Sequence, residues 1–263
     1  MKAKDIIVKP ISSRDGSRIV KTCHYSGKIV SNSQLHLGVF LGSRCGGAMQ
    51  FGPSMDKSKM LGLVSGTSWN GFLELNRMAF ADWIPRNSES RALGVAFRII
   101  KKKYPHVEWV VSFADATQCG DGAIYRASGF VLTSIRRSLN LVRLPSGEVV
   151  HKMTLESGPT RPRPELGGRS YYGVTGGRYD LKKYAEESGG AVVPGFQLRY
   201  IRFLKPGARE RLTVPVIPFS KIDEVGAGMY LGKPTRAKHS GDAPGIPVGG
   251  GRFDSDPCAP ADD

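Results

Sequence analysis

Apolar residues recur at helical spacing in the central part of the chain. They occupy positions i, i+3, i+4, i+7 and i+11 of one segment, at Leu93, Ala96, Phe97, Ile100 and Tyr104. This spacing puts all five on one face of an amphipathic helix. We expect the helix to begin at Ser88, with a side-chain cap from Asn87 or Ser88, and to end before Pro105.

Strand patterns surround this helix. Residues 35–52 read as two short strands around a Gly/Ser turn, and residues 72–80 alternate apolar with polar positions. After the helix, residues 107–114 are largely apolar, which is typical of a strand buried on both faces. A short helix at 122–128 and a strand beginning at Phe130 follow. This order predicts an α/β fold with a mixed sheet flanked by helices.

The remaining chain has weaker patterns. Residues 141–155 look like a hairpin that turns at Pro145-Ser146-Gly147, and residues 156–178 are rich in Gly, Pro and Arg, which favours a loop. A short helix is expected at 180–188 and a half-buried strand at 196–204.

These patterns divide the chain into three parts. We expect a catalytic core at 1–160, with the clearest signals over 20–135, and a C-terminal extension at 161–233 that adds strands. Residues 234–263 lose apolar periodicity and are expected to be disordered.

The charge balance points to a polyanionic partner. The chain has 38 Lys and Arg against 23 Asp and Glu, a formal net charge of +15. A cationic surface concentrates nucleic acid, so we favour such a partner over charge that serves solubility alone. The four cysteines form no CxxC pair, which argues against a zinc finger. Because no stretch resembles a signal sequence or a membrane span, a cytoplasmic location is expected.

Two segments resemble the GNAT superfamily of acyl-CoA N-acyltransferases. In that superfamily a strand, a polar loop and a long helix hold the coenzyme A pyrophosphate at the helix start, as 72–103 would do here. AIYRASGF (123–130) resembles the closing helix and strand. The loop departs from the family pattern, since Glu89 and Arg91 stand where glycines are usual. The resemblance still implies anion contacts from five loop residues: Arg86, Asn87, Ser88, Ser90 and Arg91.

A closer resemblance is to the Mom family of bacteriophage DNA modification proteins. It is carried by CHYSGK (23–28), QFGPSMDK (50–57), ELNRMAF (74–80), PRNSESRALG (85–94), YPHVEWVVSFAD (104–115) and GAIYRASGF (122–130). The resemblance implies transfer of a methylcarbamoyl group to the exocyclic amine of adenine in double-stranded DNA, which protects phage DNA from restriction. It also implies acetyl-coenzyme A or a related acyl donor, an iron ion, and action in the cytoplasm of the bacterial host.

Several polar residues in these segments are candidates for chemistry. His24 is suited to metal ligation or proton transfer, and Tyr25 to hydrogen bonding or base stacking. The alternative is a surface histidine beside an anchoring tyrosine. Arg77, within an apolar strand, needs a partner. It would grip an anion or an acyl carbonyl, or else form a structural ion pair with Glu74 or Glu89.

Three further candidates flank the end of the buried strand, where ligands lodge in open α/β sheets. These are Ser112, Asp115 and Tyr125. Asp115 would act as a general base or as a metal ligand with His24, or would merely cap a turn. Tyr125 would protonate a leaving thiolate, or simply pack in the core. Cys119 is a weaker candidate for iron.

Adenine inside a duplex must be extruded before its amine can react, and aromatic side chains stabilise the extruded base. Candidates for stacking are Trp69, Trp83, Tyr171 and Tyr172, whereas Trp109 is expected in the core. Candidates for phosphate contacts are Lys101, Lys102, Lys103, Arg136, Arg137, Arg161, Arg163 and Arg169, with 161–178 as a possible arm.

Two other functions fit the same residues. One is a GNAT-type acyltransferase that acts on a small amine or on a protein. The other is a non-catalytic DNA-binding protein, which would bind DNA tightly without His24, Asp115 and Tyr125.

A DNA-binding surface of this kind predicts strong salt dependence. If six or more of these cations contact phosphates, affinity for duplex DNA should fall by roughly a thousandfold or more between about 50 and about 200 mM salt. Fluorescence anisotropy over a salt series measures the slope. A flat response would contradict binding through phosphates.

Overall fold

Eight strands form the framework of the protein in a computed structural model, which describes residues 2–117 and 120–227. They are β1 (Ile6–Pro10), β2 (Leu35–Leu41), β3 (Arg44–Gly52), β4 (Phe72–Phe80), β5 (Trp109–Asp115), β6 (Val131–Arg143), β7 (Val149–His151) and β8 (Ala191–Phe203). They make one mixed sheet in the order β1-β2-β3-β4-β5-β8-β6-β7. Neighbouring strands run antiparallel except β4 and β5, which are parallel.

Helices cover both faces of the sheet. They are α1 (Ser13–Cys23), α2 (Lys57–Leu61), α3 (Ser88–Lys103), α4 (Ala123–Ala127), α5 (Lys152–Glu156), α6 (Tyr171–Thr175), α7 (Leu181–Glu187), α8 (Pro206–Glu210) and α9 (Ser220–Glu224). Short 3-10 helices span Ala3–Asp5 and Pro164–Leu166. In the described ranges no helix is long and apolar enough to cross a membrane.

The predicted central helix is confirmed as α3, but its cap is not. Leu93, Phe97 and Ile100 point from α3 into the largest core cluster, together with Val110, Leu198 and other residues of the sheet. Asn87 has a left-handed backbone (φ 66°) and makes no side-chain hydrogen bond to the helix start. Ser88 is fully buried and its hydroxyl has no described partner. The predicted capping by either residue is therefore wrong.

β1 and α1 were not predicted. Ser12 caps α1 by accepting a hydrogen bond from the Asp15 backbone N–H at 3.0 Å. Ile19 and Val20 of α1 are fully buried against the sheet face opposite α3. The missed signals were the Ser12-x-x-Asp15 spacing, which often starts a helix, and the apolar face formed by Ile19, Val20 and Cys23.

The C-terminal half departs further from the prediction. The hairpin exists as β6 and β7, but 152–156 form α5 rather than the end of a strand. The loop expected at 156–178 contains α6, and Tyr171 and Val174 are buried in a second core cluster. It is therefore a folded unit and not an arm.

β8 is longer than predicted and lies between β5 and β6. The sheet is therefore not complete at residue 160, where the core was expected to end, because a central strand comes from the predicted extension. The expected disordered tail, 234–263, lies outside the described residues.

The central position of β8 makes a stability prediction. Leu198 of β8 is fully buried in the largest cluster, whereas Leu139 of β6 is 60% exposed. Leu198→Ala should lower the free energy of unfolding by about 2–5 kcal/mol, since it leaves a cavity. Leu139→Ala should change it by less than about 0.5 kcal/mol. Urea denaturation measures both, and equal losses would contradict the central placement of β8.

Candidate active site at the opening between β4 and β5

The parallel strands β4 and β5 separate after three paired residues. Pairing covers Phe72–Glu74 with Trp109–Val111, although β4 continues to Phe80 and β5 to Asp115. β3 pairs with the other edge of β4, and β8 pairs with the other edge of β5. The facing backbone N–H and C=O groups beyond Glu74 and Val111 therefore have no strand partner within the described sheet. An extended ligand can bind them as an added strand would.

His24 lies beside this opening, where α1 ends. Its backbone N–H donates to the Val20 carbonyl, and its Nδ1 lies 2.9 Å from the Ser26 hydroxyl and 3.2 Å from the Ser26 backbone nitrogen. Burial, followed by the positive charge of Arg77, lowers the pKa of His24 to about 4. The Tyr25 ring, 49% exposed, lies 4.4 Å from the imidazole. His24 is thus a neutral base at neutral pH, in a fixed orientation.

Arg77 is fixed by backbone carbonyls rather than by an acidic side chain. Its Nε donates to the Lys28 carbonyl at 2.9 Å, and a terminal nitrogen donates to the Asn76 carbonyl at 2.7 Å. In the described ranges it forms no ion pair with Glu74 or Glu89, which was the structural alternative. Burial raises the pKa of Glu74, and the Arg77 charge opposes that rise. The guanidinium charge is therefore available to a ligand.

Asp115 is the last residue of β5 and does cap the following turn. One carboxylate oxygen accepts the Thr117 N–H at 3.0 Å. Asp115 stands opposite Gln197 of β8, which stands opposite Arg136 of β6. Directly opposite residues project from the same face of a sheet, so these three side chains form a row about 10 Å long. Ala114 belongs to the cluster under α3, so the row lies on the other face, which α1 covers.

A second histidine, which the sequence did not single out, lies near Asp115. His151 ends β7, and its Nδ1 accepts the Met153 N–H at 3.0 Å at the start of α5. Burial lowers the pKa of His151, while the Asp115 charge acts to raise it. The Asp115 charge thus acts on His151, whereas the sequence named His24 as its companion. No local pattern marks His151, because its position depends on the pairing of β6, β7 and β8.

A hydrogen bond joins the two sides of the site. The Lys28 ammonium donates to the Thr154 hydroxyl of α5 at 2.7 Å. Lys28 also supplies the carbonyl that holds Arg77. The segment after α1 is therefore connected both to β4 and to the unit formed by α5, α6 and α7.

Ser112 and Tyr125 occupy positions that also suit structural roles. Ser112 is fully buried, and its hydroxyl donates to the Leu75 carbonyl at 3.5 Å, where β4 and β5 begin to separate. Tyr125 is half-buried, and its ring lies 5.2 Å from Phe130 and 5.1 Å from Tyr200. The packing alternative for Tyr125 is thus present in the structure.

The start of α3 has features of an anion site. The N–H groups of Ser88 and Arg91 donate to the carbonyls of Pro85 and Asn87. Those of Glu89 and Ser90 have no backbone acceptor in the described ranges, and such groups favour anions at a helix start. The Ser90 hydroxyl donates to the Asn87 carbonyl at 3.3 Å.

The two arginines of this loop differ. The Arg91 guanidinium donates to the Lys4 carbonyl at 3.0 Å, so it is tied to the N-terminal segment. Arg86 is exposed beside the helix start. Arg86 therefore remains available to a phosphate, whereas the Ser88 hydroxyl is buried beneath the helix start.

The described residues do not fit an iron site. Within 2–117 and 120–227 no group of three or more His, Cys, Asp and Glu side chains is arranged to hold a metal ion. The Nδ1 atom of His24 is hydrogen-bonded to Ser26, and one carboxylate oxygen of Asp115 accepts a hydrogen bond from the Thr117 N–H. Cys119 lies outside the described residues.

The predicted phosphate contacts do not form one surface. Lys101, Lys102 and Lys103 are exposed at the end of α3, a helix of 16 residues. A helix of that length spans about 24 Å, so they lie far from the strand ends that carry Asp115. Arg136 projects from the face of Asp115, and its neighbour Arg137 from the opposite face.

The three arginines of 161–169 also differ from one another. Arg161 is exposed. Arg163 is largely enclosed, donates to the Thr154 carbonyl at 3.1 Å and lies 3.8 Å from Glu165. Arg169 is paired with Glu187 at 3.0 Å. Arg163 thus has a structural role in place of the expected phosphate contact.

The aromatic side chains proposed to stack on the extruded base differ in their burial. Tyr171 is fully buried, so it cannot receive a base, and Tyr172 is half-buried. Trp83 packs over Gly46, with the Arg44 guanidinium 4.4 Å from its ring. Trp69 is 55% exposed beneath Lys57. Trp109 is in the core as predicted, stacked on Phe72 at 4.4 Å.

Two surface cavities lie away from this site. The larger, about 670 Å³, is lined by residues that include Ile135, Arg137, Phe196 and Lys221. The smaller, about 430 Å³, lies between α2 and Thr213.

The mixed sheet, its opening and the anion-suited helix start define an α/β protein with a transferase-like site. The model of the Mom protein family matches residues 5–221, and the chain therefore belongs to that family. It is 40% identical over 212 residues to the methylcarbamoylase Mom of Escherichia phage Mu, covering 80% of each chain.

Solved structures of acetyltransferases are more distantly similar. The ribosomal-protein-S18-alanine N-acetyltransferase of Escherichia coli is 10% identical, with a TM-score of 0.40 over 76% of this chain and 94% of that one. A Bacillus subtilis acetyltransferase in complex with CoA is 8% identical, with a TM-score of 0.39 over 75% and 97%. An Elizabethkingia anophelis GNAT acetyltransferase with acetyl-CoA bound is 12% identical, with a TM-score of 0.38 over 74% and 97%.

The environment of His24 predicts an unusual titration. NMR of the chelator-treated protein should show a midpoint near pH 4, and Arg77→Gln should move it upward by removing a nearby cation. Because the unfolded chain takes up this proton more readily, the contribution of His24 to stability declines as the pH falls from 6.5 towards 4. A midpoint near 6.5 in the intact protein would contradict the buried placement.

Proposed function

We propose that this protein is a DNA-modifying enzyme that adds a methylcarbamoyl group to the N6 amine of adenine in double-stranded DNA. The observation that carries the proposal is 40% identity over 80% of both chains with a methylcarbamoylase of the same family. The modification would protect phage or prophage DNA from restriction in the host cytoplasm. The net charge of +15 supports a DNA substrate.

The donor would bind along the opening between β4 and β5. The unpaired backbone groups beyond Glu74 and Val111 suit an extended chain, and the start of α3 suits its phosphates. Arg86 and the backbone N–H groups of Glu89 and Ser90 would contact those phosphates. Acetyl-coenzyme A or a related acyl donor fits these features, although the Glu89 carboxylate in the first turn opposes a phosphate. A coenzyme A thioester that already carries the methylcarbamoyl group would supply the activated carbonyl carbon and release the thiol, whereas acetyl-coenzyme A itself would leave an acetyl group, which lacks the nitrogen.

The acceptor adenine would enter from the face that α1 covers. The N6 amine is a poor nucleophile because its lone pair is delocalised into the ring, so the site must remove a proton as the new bond forms. His24 is neutral at pH 7, and because its Nδ1 accepts the Ser26 N–H, the ring proton lies on Nε2, which would donate a hydrogen bond to the substrate. Arg77, held by two carbonyls, would polarise the acyl carbonyl. The Asp115 carboxylate, which uses one oxygen to cap the turn, would take the proton from the amine through the other.

The remaining candidates have supporting roles in this proposal. Tyr125 would donate a proton to the leaving group, and Tyr25 would contact the base. Ser112 would hold β4 and β5 at the point where they separate. Because the described residues do not fit iron, no step here depends on a metal.

The first experiment separates the charge of Asp115 from its capping role. Nucleoside mass spectrometry is applied to plasmid DNA from bacteria that express the protein, Asp115→Asn, Asp115→Ala or the control Asp223→Asn on the exposed side of α9. Asparagine can still accept the Thr117 N–H, so Asp115→Asn removes charge and retains the cap. We expect a heavier deoxyadenosine with the intact protein and the control, and its loss with both Asp115 variants.

Each other outcome has a defined meaning. Full modification by Asp115→Asn would mean that the only role of Asp115 is to cap the turn. Absence of modified deoxyadenosine with abundant intact protein would overturn the DNA-modifying function. Binding of coenzyme A without DNA would then favour an acyltransferase of small amines or proteins. Tight DNA binding that survives loss of His24, Asp115 and Tyr125 would favour a non-catalytic binding protein.

A further inference from the structure

Four tyrosines form a connected cluster next to the candidate site. Tyr171 and Tyr184 are fully buried, with ring centroids 5.7 Å apart. Tyr172 and Tyr179 lie above them, with ring centroids 5.5 Å apart. Tyr179 is 57% exposed and was not singled out from the sequence. The buried pair Tyr171 and Tyr184 thus packs beneath the pair Tyr172 and Tyr179 nearer the surface.

The chain around Tyr179 is built to hold this position. Gly176 and Gly177 both have left-handed backbones (φ 64° and 77°), which turn the chain sharply after α6. The Thr175 hydroxyl then donates to the Arg178 carbonyl at 2.7 Å. Tyr179 returns over Tyr171 at 6.5 Å. An exposed tyrosine held by a turn and by neighbouring rings loses little conformational entropy when a ligand stacks on it.

Contacts through α5 place the pair beside the site. Leu155 of α5 packs in the same cluster as Tyr171. The preceding residue, Thr154, accepts the hydrogen bond from Lys28, which in turn holds Arg77. The following residue, Glu156, influences both His151 and Tyr172 electrostatically. α5 therefore connects the cluster that contains Tyr172 with the segment that holds Arg77.

Exposed cations flank the pair in the sequence, although the carboxylate of Glu156 also acts on Tyr172. Arg161, Arg178, Lys182 and Lys183 are exposed, and none of them forms an ion pair with a residue in the described ranges. Free cations around exposed aromatic rings are the combination that binds unstacked nucleotides, because the rings stack on the base and the cations contact the phosphates.

We infer that Tyr172 and Tyr179 form the platform on which the adenine stacks after it leaves the duplex. This inference rests on the proposed function and adds to it a recognition site for the base. Tyr179 would supply the exposed face, and Tyr172 would support it. No bond is made or broken at this platform, so its effect is on binding and positioning.

The test compares two DNA duplexes that differ by one unpaired adenine. Extrusion costs least for a base that is already unpaired, so the intact protein should bind the bulged duplex more tightly than the fully paired one. Tyr179→Ala should weaken binding to the bulged duplex by roughly 5- to 150-fold, the range for loss of one stacked base, and change binding to the paired duplex by less than about twofold. Fluorescence anisotropy measures both affinities.

Two variants serve as controls. Tyr179→Phe keeps the ring and should keep the preference for the bulged duplex. Tyr104→Ala removes another exposed tyrosine, 37% exposed at the far end of α3, and should have no effect. Since Tyr179 is largely exposed, Tyr179→Ala should fold normally, and its thermal unfolding temperature verifies this.

Three results would overturn the inference while leaving the proposed function intact. The intact protein could modify DNA yet show no preference for the unpaired adenine. Tyr179→Ala could retain the full preference. Tyr179→Ala could also keep the preference and change the oligomeric state, which would make the pair a contact between two copies of the chain. Failure of the proposed function is recognised separately, by the absence of modified deoxyadenosine with the intact protein.

Discussion

The pairing of β8 with both β5 and β6 is the contact on which the rest of the structure depends. It fixes the outer side of β5, so that β5 can separate from β4 without losing its place in the sheet. Pairing with β8 also positions β6, and the hairpin that β6 forms with β7, so that only β8 lies between β6 and the strand that ends at Asp115. Without β8 neither the opening nor the approach of His151 to Asp115 would exist, because both depend on strands that are distant in sequence.

The cationic side chains of the site are hydrogen-bonded to neutral groups rather than to carboxylates. The Arg77 guanidinium is bound by carbonyls, and Lys28 donates to a hydroxyl. Arg199 of β8, diagonal to Asp115, is held by the hydroxyl and carbonyl of Thr133, and burial lowers its pKa. Cations that are not neutralised by carboxylates keep histidines nearby unprotonated and attract anionic ligands.

Much of the fold was determined by local sequence. The apolar period of α3 and the continuous apolar run of β5 follow from burial on one face and on both faces, so each was readable from residues close in the chain. The same is true of β2, β3 and β4. The short elements β1 and α6 bury few side chains and give little periodicity, and their existence depends on the surfaces they pack against, whereas α1 carries a cap and an apolar face that local sequence encodes.

The sequence by itself thus determined the class of fold, the family resemblance and a set of polar candidates that includes His24, Arg77 and Asp115. The tertiary structure decided which of them share a face, and it drew attention to His151 and Tyr179 as further candidates. It also separated the lysines at the end of α3 from the strand ends and gave Arg163 an internal role. The physical reason is that periodicity reports burial along one segment, whereas proximity between segments depends on strand order, which no local pattern encodes.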